Sequence, residues 1–360
     1  MVGRNTNDMK KIQIDSRKEI MNYGEPYIIA EIGANHNGDM ELAKKMILSA
    51  KKAGADCVKF QSWTPTSLIS KEEYENNRVY TGSKKKHFGS LKEMVKKYAL
   101  TESQHKELKE FCDENEISFA STPFSYEEAK LLNKLDVPFF KIASMDINYI
   151  DFLKKVAALN KPMILSTGMA TLAEIEKAVQ TCVEAGNNQI VLLHCISIYP
   201  PEYEDIHLNN IKMLQTAFDL PIGFSDHTIG TAIPLASATL GACVIEKHFT
   251  LDKDLPGWDH EVSANPEELE VICTGSKNIS RSLGNYQRTV SEAEENKKLK
   301  FRRSLVVKKD LKKGHVLKQE DLTAKRPGTF IPPNEINYVL GRSLKNDLTA
   351  DDILKWENLN

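Results

Sequence analysis

The stretch CVIEKH, residues 243–248, is a short apolar run that ends in the polar residues Glu246, Lys247 and His248. Runs of this kind recur along the chain, and most of their residues are β-branched or aliphatic. This composition is typical of strands that are buried on both faces of a parallel sheet. The sequence therefore predicts eight strands, at residues 27–32, 57–61, 118–121, 139–142, 163–166, 190–194, 222–225 and 243–248.

Segments with helical periodicity separate these strands, among them 41–53, 102–115, 126–135, 172–184 and 266–281. Thr171 and Ser103 are predicted to begin two of these helices. The alternation of strand and helix predicts an α/β fold, a (β/α)8 TIM barrel. One connection, residues 63–100, is unusually long. It is either an active-site flap, with Tyr80 and the basic run 84–86, or a solvated insertion.

The composition changes after Gly284, since residues 291–300 are highly charged. We predict a TIM-barrel catalytic domain at 1–283, a linker or exposed helix within 284–300, and a small β-rich domain at 301–360. Strands in the small domain are predicted at residues 304–307, 315–317, 338–340 and 353–355.

The charge balance argues against a polyanionic partner. The chain has 48 Lys and Arg against 50 Asp and Glu, so no net field attracts a nucleic acid or an anionic membrane. Residues 1–27 contain no apolar leader, and no later stretch approaches the roughly 20 apolar residues of a membrane span. We therefore expect a cytoplasmic protein that binds neither nucleic acid nor membrane.

The six cysteines are widely spread, without a CxxC pair, and are expected to be reduced and mostly buried. Cys195 follows His194 at a predicted strand end, which suggests a nucleophilic pair. Because neighbouring residues of a strand point to opposite faces, we do not expect these two side chains to meet.

Polar residues end nearly every predicted strand, and in a barrel these ends surround one pocket. His227 and His248 follow the last two strands and suit a divalent cation bound by imidazole nitrogens, with Glu31 facing them. Asp226 and Glu246 are candidates to orient these ligands. The alternative is that each histidine makes an ordinary hydrogen bond in the core.

Lys59 and Lys141 lie in otherwise apolar strands, where an unpaired charge would be costly. A ligand with phosphate and carboxylate groups is therefore expected beside them. Two alternatives remain open, namely ion pairs with Glu31 or Asp146 and a Schiff-base lysine. Hydroxyl donors at the ends of neighbouring strands would bind the same ligand: Ser144, Ser166 and Ser225.

The small domain contains KRPG, residues 325–328, in which Pro327 and Gly328 predict a turn that holds Arg326 outward. A guanidinium fork in a defined direction suits oxygens of a sugar or of an acyl amide. The alternative is a plain solvated loop.

Nine of these segments resemble, in order and with similar gaps, the sialic acid synthase family, whose members make N-acetylneuraminate, legionaminate or pseudaminate. The segments are AEIGANHNGD (30–39), VKFQ (58–61), STPF (121–124), KIAS (141–144), LSTGM (165–169), LLHCISIYP (192–200), GFSDHT (223–228), EKHFT (246–250) and KRPG. The small domain resembles the antifreeze-like, or SAF, domain of the same family.

The resemblance implies condensation of phosphoenolpyruvate with the open-chain aldehyde of an N-acylated amino sugar, such as N-acetylmannosamine or a diacetamido-hexose. A manganese or magnesium ion polarises the aldehyde while C3 of phosphoenolpyruvate attacks it. Water then adds at C2, and phosphate leaves through C–O cleavage. The metal and the buried lysines expected from the residues alone agree with this chemistry.

Position by position, the resemblance implies that His227 and His248 are the metal ligands and that Glu31 is the carboxylate near the metal. The implied phosphoenolpyruvate contacts are Lys59, Thr122, Lys141, Ser144, Ser166 and Ser225. The implied sugar contacts are Gln61, Asp146, Tyr199, Asp259 and Arg326. Dimers of the family place the small domain over the barrel of the other subunit, so a homodimer with Arg326 acting in trans is implied.

Asp146, Ser197 and Trp258 differ from the residues familiar in neuraminate synthases at positions near the sugar, so the acceptor stays open. One alternative function is a related enzyme that condenses phosphoenolpyruvate with an aldose phosphate, although the Kdo-8-phosphate and DAHP synthases lack the SAF domain. Another is a sugar-binding protein without catalysis.

Overall fold

The structure is a computed structural model that describes residues 10–77 and 90–360. The chain divides into two compact units, Met1–Gly284 and Asn285–Asn360. Among the described residues, no helix is both long and apolar enough to span a bilayer. Tyr80 and the basic run 84–86, predicted as part of a flap, lie outside the described residues.

The first unit is an eight-stranded parallel barrel preceded by a short hairpin. The hairpin consists of β1 (Ile12–Gln13) and β2 (Glu19–Ile20), and the barrel strands are β3 (Tyr27–Gly33), β4 (Cys57–Ser62), β5 (Ser118–Pro123), β6 (Phe140–Ile142), β7 (Met163–Ser166), β8 (Ile190–Cys195), β9 (Ile222–Asp226) and β10 (Val244–His248). Hydrogen-bonded neighbours follow the order β5-β4-β3-β10-β9-β8-β7-β6, and contact between β5 and β6 nearly closes the ring. The predicted TIM barrel is confirmed, and each predicted strand is present with small shifts at its ends.

Helices follow every barrel strand, and their ends obey local sequence rules. The helices of this unit are α1 (Met40–Ala53), α2 (Pro65–Leu68), α3 (Lys71–Asn76), α4 (Leu91–Tyr98), α5 (Glu102–Glu114), α6 (Tyr126–Lys134), α7 (Ile150–Ala157), α8 (Leu172–Glu184), α9 (Asn210–Phe218), α10 (Ala232–Thr239) and α11 (Pro266–Leu283). Thr171 caps α8 as predicted, in a capping box with Glu174. The prediction that Ser103 begins α5 was wrong. The N-cap is Thr101, two residues earlier, whose hydroxyl accepts a hydrogen bond from the backbone N–H of Gln104.

The barrel strands separate two apolar layers. Ile28 packs in the outer layer against the helices, whereas its neighbour Ile29 packs inside the barrel. Because side chains of a strand alternate between faces, Glu31 continues the inner face beyond Ile29. Lys141 likewise follows the inner residue Phe139 by two positions. The inner face is thus apolar near the strand starts and polar at the strand ends.

The hairpin closes the bottom of the barrel. Ile12, Ile14 and Ile20 are buried and pack in the inner layer with Tyr27 and Phe139, at the starts of barrel strands. The sequence analysis missed this hairpin, because two-residue strands carry no detectable periodicity.

The long connection after β4 forms a small apolar core of its own in its described part. Trp63, Met94 and Tyr98 are buried there, and the indole N–H of Trp63 donates to Val95 O at 3.0 Å. Trp258, from the connection after β10, packs against the same cluster. This part of the connection is a folded element rather than a solvated insertion.

The second unit has its own core around a two-stranded antiparallel sheet. Its elements are α12 (Glu292–Phe301), β11 (Ser304–Val307), β12 (Leu322–Lys325) and α13 (Ile336–Val339). The strand predicted at 304–307 is confirmed, and the charged segment 291–300 forms the exposed helix α12, one of the two alternatives predicted for it. The strand predicted at 338–340 was wrong, since Val339 ends a helix and fills the core. Residues 315–317 and 353–355 contribute only single bridges, at Val316 and Ile353.

Candidate active site

Strand register brings the polar ends of the barrel strands together. Glu31 lies beside His248 in the ladder of β3 with β10, and beside Lys59 in the ladder of β3 with β4. These three side chains face the interior and are nearly inaccessible, at 2–6% exposure. Residues separated by more than 200 positions in the sequence therefore share one pocket.

Lys59 is held by several polar groups. Its Nζ lies 2.7 Å from Glu31 Oε2 and 3.7 Å from Glu246 Oε2, and it donates to Thr122 Oγ1 at 2.8 Å. Gln61 Nε2 donates to Glu31 Oε1 at 2.9 Å. The ion-pair alternative is thus present for Lys59 with Glu31, and Glu246 is a second partner that the sequence did not indicate.

Lys141 lies on the other side of Glu246. Its Nζ donates to Ser166 Oγ at 2.7 Å and lies 3.5 Å from Glu246 Oε1, which also accepts the hydroxyl of Ser225 at 2.9 Å. Two ammonium groups and two carboxylates therefore form one connected, buried group. We call it the lysine cluster: Glu31, Lys59, Lys141 and Glu246.

The lysine cluster separates the proton affinities of its two carboxylates. Burial raises the pKa of Glu31 to about 7, against the opposing effect of Lys59. Burial also opposes ionisation of Glu246, but Lys141 and Lys59 outweigh it and hold the pKa of Glu246 well below its usual range. Burial lowers the pKa of Lys141. Glu246 is therefore a permanent anion, whereas Glu31 can exchange a proton near neutral pH.

A small cradle of polar groups lies where β7 ends. The backbone N–H of Gly168 donates to Ser144 Oγ at 3.0 Å. A Cβ on Gly168 would come within 2.3 Å of Ser197 Oγ and 2.8 Å of Ser144 Oγ. Glycine is therefore required for these hydroxyls to approach the backbone so closely. Ser166, two residues before Gly168, supplies a further hydroxyl and contacts Lys141.

The two histidines lie side by side at the mouth of the pocket. Their ring centroids are 5.4 Å apart, and the ring of Tyr199 lies 4.0 Å from that of His227. His227 Nδ1 donates to Ile196 O at 2.8 Å, which orients the ring, and the same imidazole contacts the thiol of Cys195. His248 Nδ1 is buried and has no hydrogen-bond partner among the described residues.

This donor set fits a divalent cation with an open coordination sphere. Divalent transition-metal cations and zinc bind imidazole nitrogens, and this site offers one imidazole nitrogen without a hydrogen-bond partner among the described residues beside a second imidazole of fixed orientation. Within 10–77 and 90–360, no three His, Cys, Asp or Glu side chains are grouped to hold an ion by themselves. An ion bound at His227 and His248 would therefore take water or substrate oxygens as its other ligands.

Two further carboxylates, Asp146 and Asp259, lie after the strands rather than within them; we call them the loop carboxylates. Burial raises the pKa of each to about 6. Asp146 Oδ2 has no hydrogen-bond partner among the described residues, and Lys141 pairs with Glu246 instead. Asp259 Oδ2 lies 3.8 Å from His248 Nδ1.

Cys195 belongs to the pocket, which the sequence analysis missed. As expected, it does not meet His194, which turns outward and donates to Ile206 O at 2.6 Å. Cys195 turns inward, where it contacts His227 and accepts a hydrogen bond from Ser144 at 3.6 Å. The alternation that separated the two residues also indicates the inner face for Cys195, two positions after the buried Leu193.

An ion pair on the outer face links the two strands that carry the histidines. Lys247 Nζ lies 2.7 Å from Asp226 Oδ2, and Lys247 also donates to Thr228 O. Asp226 Oδ1 accepts the backbone N–H of Thr228 at 3.0 Å. The backbone on both sides of His227 is therefore held from behind. The role predicted for Asp226, to orient a metal ligand, stays a prediction.

Arg326 lies in the second unit, directly after β12. Its guanidinium group stacks over the ring of Phe301, 5.0 Å from the centroid. The stacking limits the directions that Arg326 can take. Its predicted contact with a sugar stays a prediction.

Comparison with known proteins gives consistent results. Residues 46–288 match the NeuB family, and residues 302–360 match the SAF domain. The N,N'-diacetyllegionaminic acid synthase of Campylobacter jejuni is 42% identical over 330 residues, which cover 91% of this chain and 98% of that protein. The Legionella pneumophila enzyme of the same name is 39% identical over 341 residues, covering 92% and 94%. The crystal structure of the N-acetylneuraminic acid synthetase of Leptospira borgpetersenii in complex with citrate is 33% identical, with a TM-score of 0.71, and covers 80% of this chain and 95% of that one.

Proposed function

The chain belongs to the NeuB family, and we propose that it condenses phosphoenolpyruvate with an N-acylated amino sugar that carries two acetamido groups. The observation that carries this proposal is the lysine cluster, with hydroxyl donors on both sides and an imidazole pair at its edge. A phosphorylated, carboxylated donor and an aldehyde acceptor need those two kinds of site next to each other. The two legionaminic acid synthases among the relatives favour a diacetamido sugar as the acceptor.

The donor binds at the lysine cluster. Lys141 and Lys59 attract its phosphate and carboxylate groups, and nearby hydroxyls and the Gly168 cradle complete the hydrogen bonds. The hydroxyls are those of Thr122, Ser144, Ser166 and Ser225. Glu246 keeps both lysines in place before the donor arrives, so little reorganisation is needed on binding. These contacts fix the orientation of the donor's double bond.

His227 and His248 would hold the divalent cation, which polarises the aldehyde oxygen of the acceptor when bound. In the net reaction, C3 of the donor forms a bond to the aldehyde carbon, the π electron pair of the aldehyde moves to its oxygen, which gains a proton to become a hydroxyl, and water adds to C2. The bond from C2 to the bridging oxygen breaks, and phosphate leaves with the electron pair. Glu31, with its raised pKa, takes the proton of the incoming water.

The acceptor binds nearer the mouth of the pocket. Asp146 and Asp259 accept hydrogen bonds from its hydroxyl and amide groups, Tyr199 covers one side, and Gln61 reaches in from β4. Arg326 of a second subunit completes this site in a homodimer, because its stacked guanidinium suits an acyl oxygen. We expect the enzyme to work in the cytoplasm, where phosphoenolpyruvate is available.

The direct test is a substrate panel. Phosphate release from phosphoenolpyruvate is measured with diacetamido-hexoses, with N-acetylmannosamine and with arabinose 5-phosphate, in the presence of manganese or after chelation. Donor labelled with ¹⁸O at the bridging position should give labelled phosphate, since the C–O bond breaks. Turnover with the pentose phosphate alone, or unlabelled phosphate, would defeat the proposal.

A matched pair of variants tests the imidazole site. His248→Gln should abolish turnover and weaken manganese binding, measured by electron paramagnetic resonance of the free ion. His194→Gln removes an imidazole at another strand end, on the outer face, and should leave manganese binding unchanged. Equal manganese binding by both variants would contradict the assignment of His248.

A further inference from the structure

Asp259 sits on the connection after β10, and its position depends on contacts of its backbone. Its carboxylate lies 3.8 Å from His248 Nδ1, beyond hydrogen-bond distance. By contrast, the carbonyl oxygen of Asp259 accepts the hydroxyl of Ser263 at 2.6 Å. The neighbouring residue Trp258 packs against Trp63 and Tyr98, with ring centroids 6.0 and 5.6 Å apart. This connection is therefore anchored on both sides of the carboxylate.

Ser263 is itself held by a residue of the connection after β3. Asn35 is fully buried, and its Nδ2 donates to Ser263 Oγ and to Phe249 O, both at 2.9 Å. Its Oδ1 has no hydrogen-bond partner among the described residues. The two donated bonds therefore fix the amide, and they cross from the first barrel strand's loop to the last one's.

A second contact between the same two connections supports this arrangement. Asn37 Nδ2 donates to Pro256 O at 2.7 Å. Gly257 lies so close to the first connection that a Cβ there would come within 2.8 Å of Asn37 Oδ1 and 2.3 Å of the His260 ring. The connection after β10, which carries Asp259, thus packs against the connection after β3, and Asn35 makes the buried hydrogen bonds between the two.

We infer that Asn35 is a positioning residue that sets the affinity for the acceptor by holding Asp259 through Ser263. Among the described residues, the side-chain hydrogen bonds of Asn35 go to Phe249 O and Ser263 Oγ and not to a side chain of the lysine cluster or to either histidine ring, so Asn35 acts through the backbone of the connection that carries Asp259. The inference rests on the proposed function, in which Asp259 binds the amino sugar. A shift of the carboxylate would weaken acceptor binding and leave the donor site unchanged.

The test uses the isosteric variant Asn35→Asp, which keeps the shape of the side chain but cannot donate to Ser263 or Phe249. The KM for the acceptor should rise about tenfold, the size expected for one lost buried hydrogen bond. The KM for phosphoenolpyruvate should stay within about twofold. Ser263→Ala should reproduce this pattern, because it removes the middle of the bridge.

A double-mutant cycle separates positioning from general destabilisation. Asp259→Asn alone should raise the acceptor KM, and adding Asn35→Asp should then change it little, since the two act through one group. Asn187→Asp is the matched control: Asn187 is also fully buried and donates to Lys161 O at 2.7 Å, at the opposite end of the barrel. Asn187→Asp should lower the stability of the protein without raising the KM for the acceptor relative to the KM for phosphoenolpyruvate.

The outcomes distinguish the inference from its premise. If the wild-type enzyme turns over no amino sugar, the proposed function fails before any variant is made. If the wild type is active but Asn35→Asp changes both KM values equally, or adds its full effect to Asp259→Asn, the positioning role is overturned. Faster hydrogen exchange in residues 249–263 of Asn35→Asp, without change at the lysine cluster, is the expected structural signature.

Discussion

The lysine cluster and the loop carboxylates are two kinds of acidic site within one barrel. Glu31 and Glu246 lie on strands, and each is within ion-pair distance of Lys59. Asp146 and Asp259 lie after strands, and burial raises the pKa of both to about 6 because no comparably close cation compensates it. The first pair is compensated before any ligand arrives, whereas the second is left for a ligand to satisfy.

This difference teaches where the common chemistry and the selectivity are located. In the proposed reaction, the strand-borne groups, which the ladders fix in place, bind phosphoenolpyruvate. Loop-borne groups can change without disturbing the barrel, and they are proposed to bind the acceptor. The comparison predicts that variants of the two sites will fail in different ways.

The largest effect is expected for Lys141→Met. It leaves Glu246 with only the more distant Lys59, so the unfolding free energy should fall by about 3 kcal/mol, the range for breaking a buried pair. The kcat/KM for phosphoenolpyruvate should fall about a thousandfold. The double variant Lys141→Met, Glu246→Gln should recover stability in chemical denaturation but not activity. Recovery of activity would show that Lys141 serves the fold alone.

A tenfold effect is expected from pH. Glu31 must be ionised to take a proton, and its folded pKa is raised to about 7, so kcat/KM should fall about tenfold from pH 8 to pH 6. Glu31→Gln should lower activity and remove this acidic limb. Burial raises the pKa values of Asp146 and Asp259 to about 6, so their protonation also lowers kcat/KM in this pH range. The pH profile is therefore repeated with Asp146→Asn and Asp259→Asn. A limb that persists in Glu31→Gln would contradict the role of Glu31.

The loop carboxylates should show a contrasting split. Asp146→Asn removes a partly buried charge that no ion pair compensates, so the free energy of unfolding should not fall at pH 8 and should rise if it changes. The KM for the acceptor should rise about tenfold at pH 8, with the donor KM unchanged, because only hydrogen bonds to the sugar are lost. Steady-state kinetics with each substrate varied separately checks this. A parallel rise in the donor KM would place Asp146 in the donor site.

The smallest effect is expected at the glycine cradle. Gly168→Ala places a Cβ against the hydroxyls of Ser197 and Ser144, which can rotate away at the cost of their orientation. The donor KM should rise about threefold to tenfold. Ser197→Ala in the same chain removes the closest clash and should recover part of the loss. No change in donor KM would exclude the cradle from donor binding.

The sequence predicted the barrel well because its strands carry the signal locally. Most apolar runs carry a polar residue at or near their end, and that pattern indicates both the strand and its functional end. Lys59 and Lys141 were found because a lysine in a buried run is conspicuous. Glu246 was seen only as an orienting group, since nothing in the sequence reveals that it lies between two lysines on other strands.

Other features escaped prediction for different physical reasons. The bridge from Asn35 to Ser263 depends on the relative placement of two loops, which no local periodicity encodes. Cys195 was dismissed with its neighbour His194, although alternation along β8 places the two on opposite faces and Cys195 on the inner one. In the second unit, Val339 fills the core from a single helical turn, which its β-branched neighbourhood did not suggest.

The hairpin at the bottom of the barrel affects the route by which ligands enter and leave. Within residues 10–77 and 90–360, Ile12, Ile14 and Ile20 close the barrel at the strand starts, so we expect ligands to enter and leave at the strand ends. The lysine cluster is nearly inaccessible, whereas Tyr199 at the mouth is 48% exposed. A ligand at the lysine cluster must then bind before a ligand at the mouth and dissociate after it. For the proposed reaction we therefore expect ordered kinetics, in which phosphoenolpyruvate binds first and phosphate is released last.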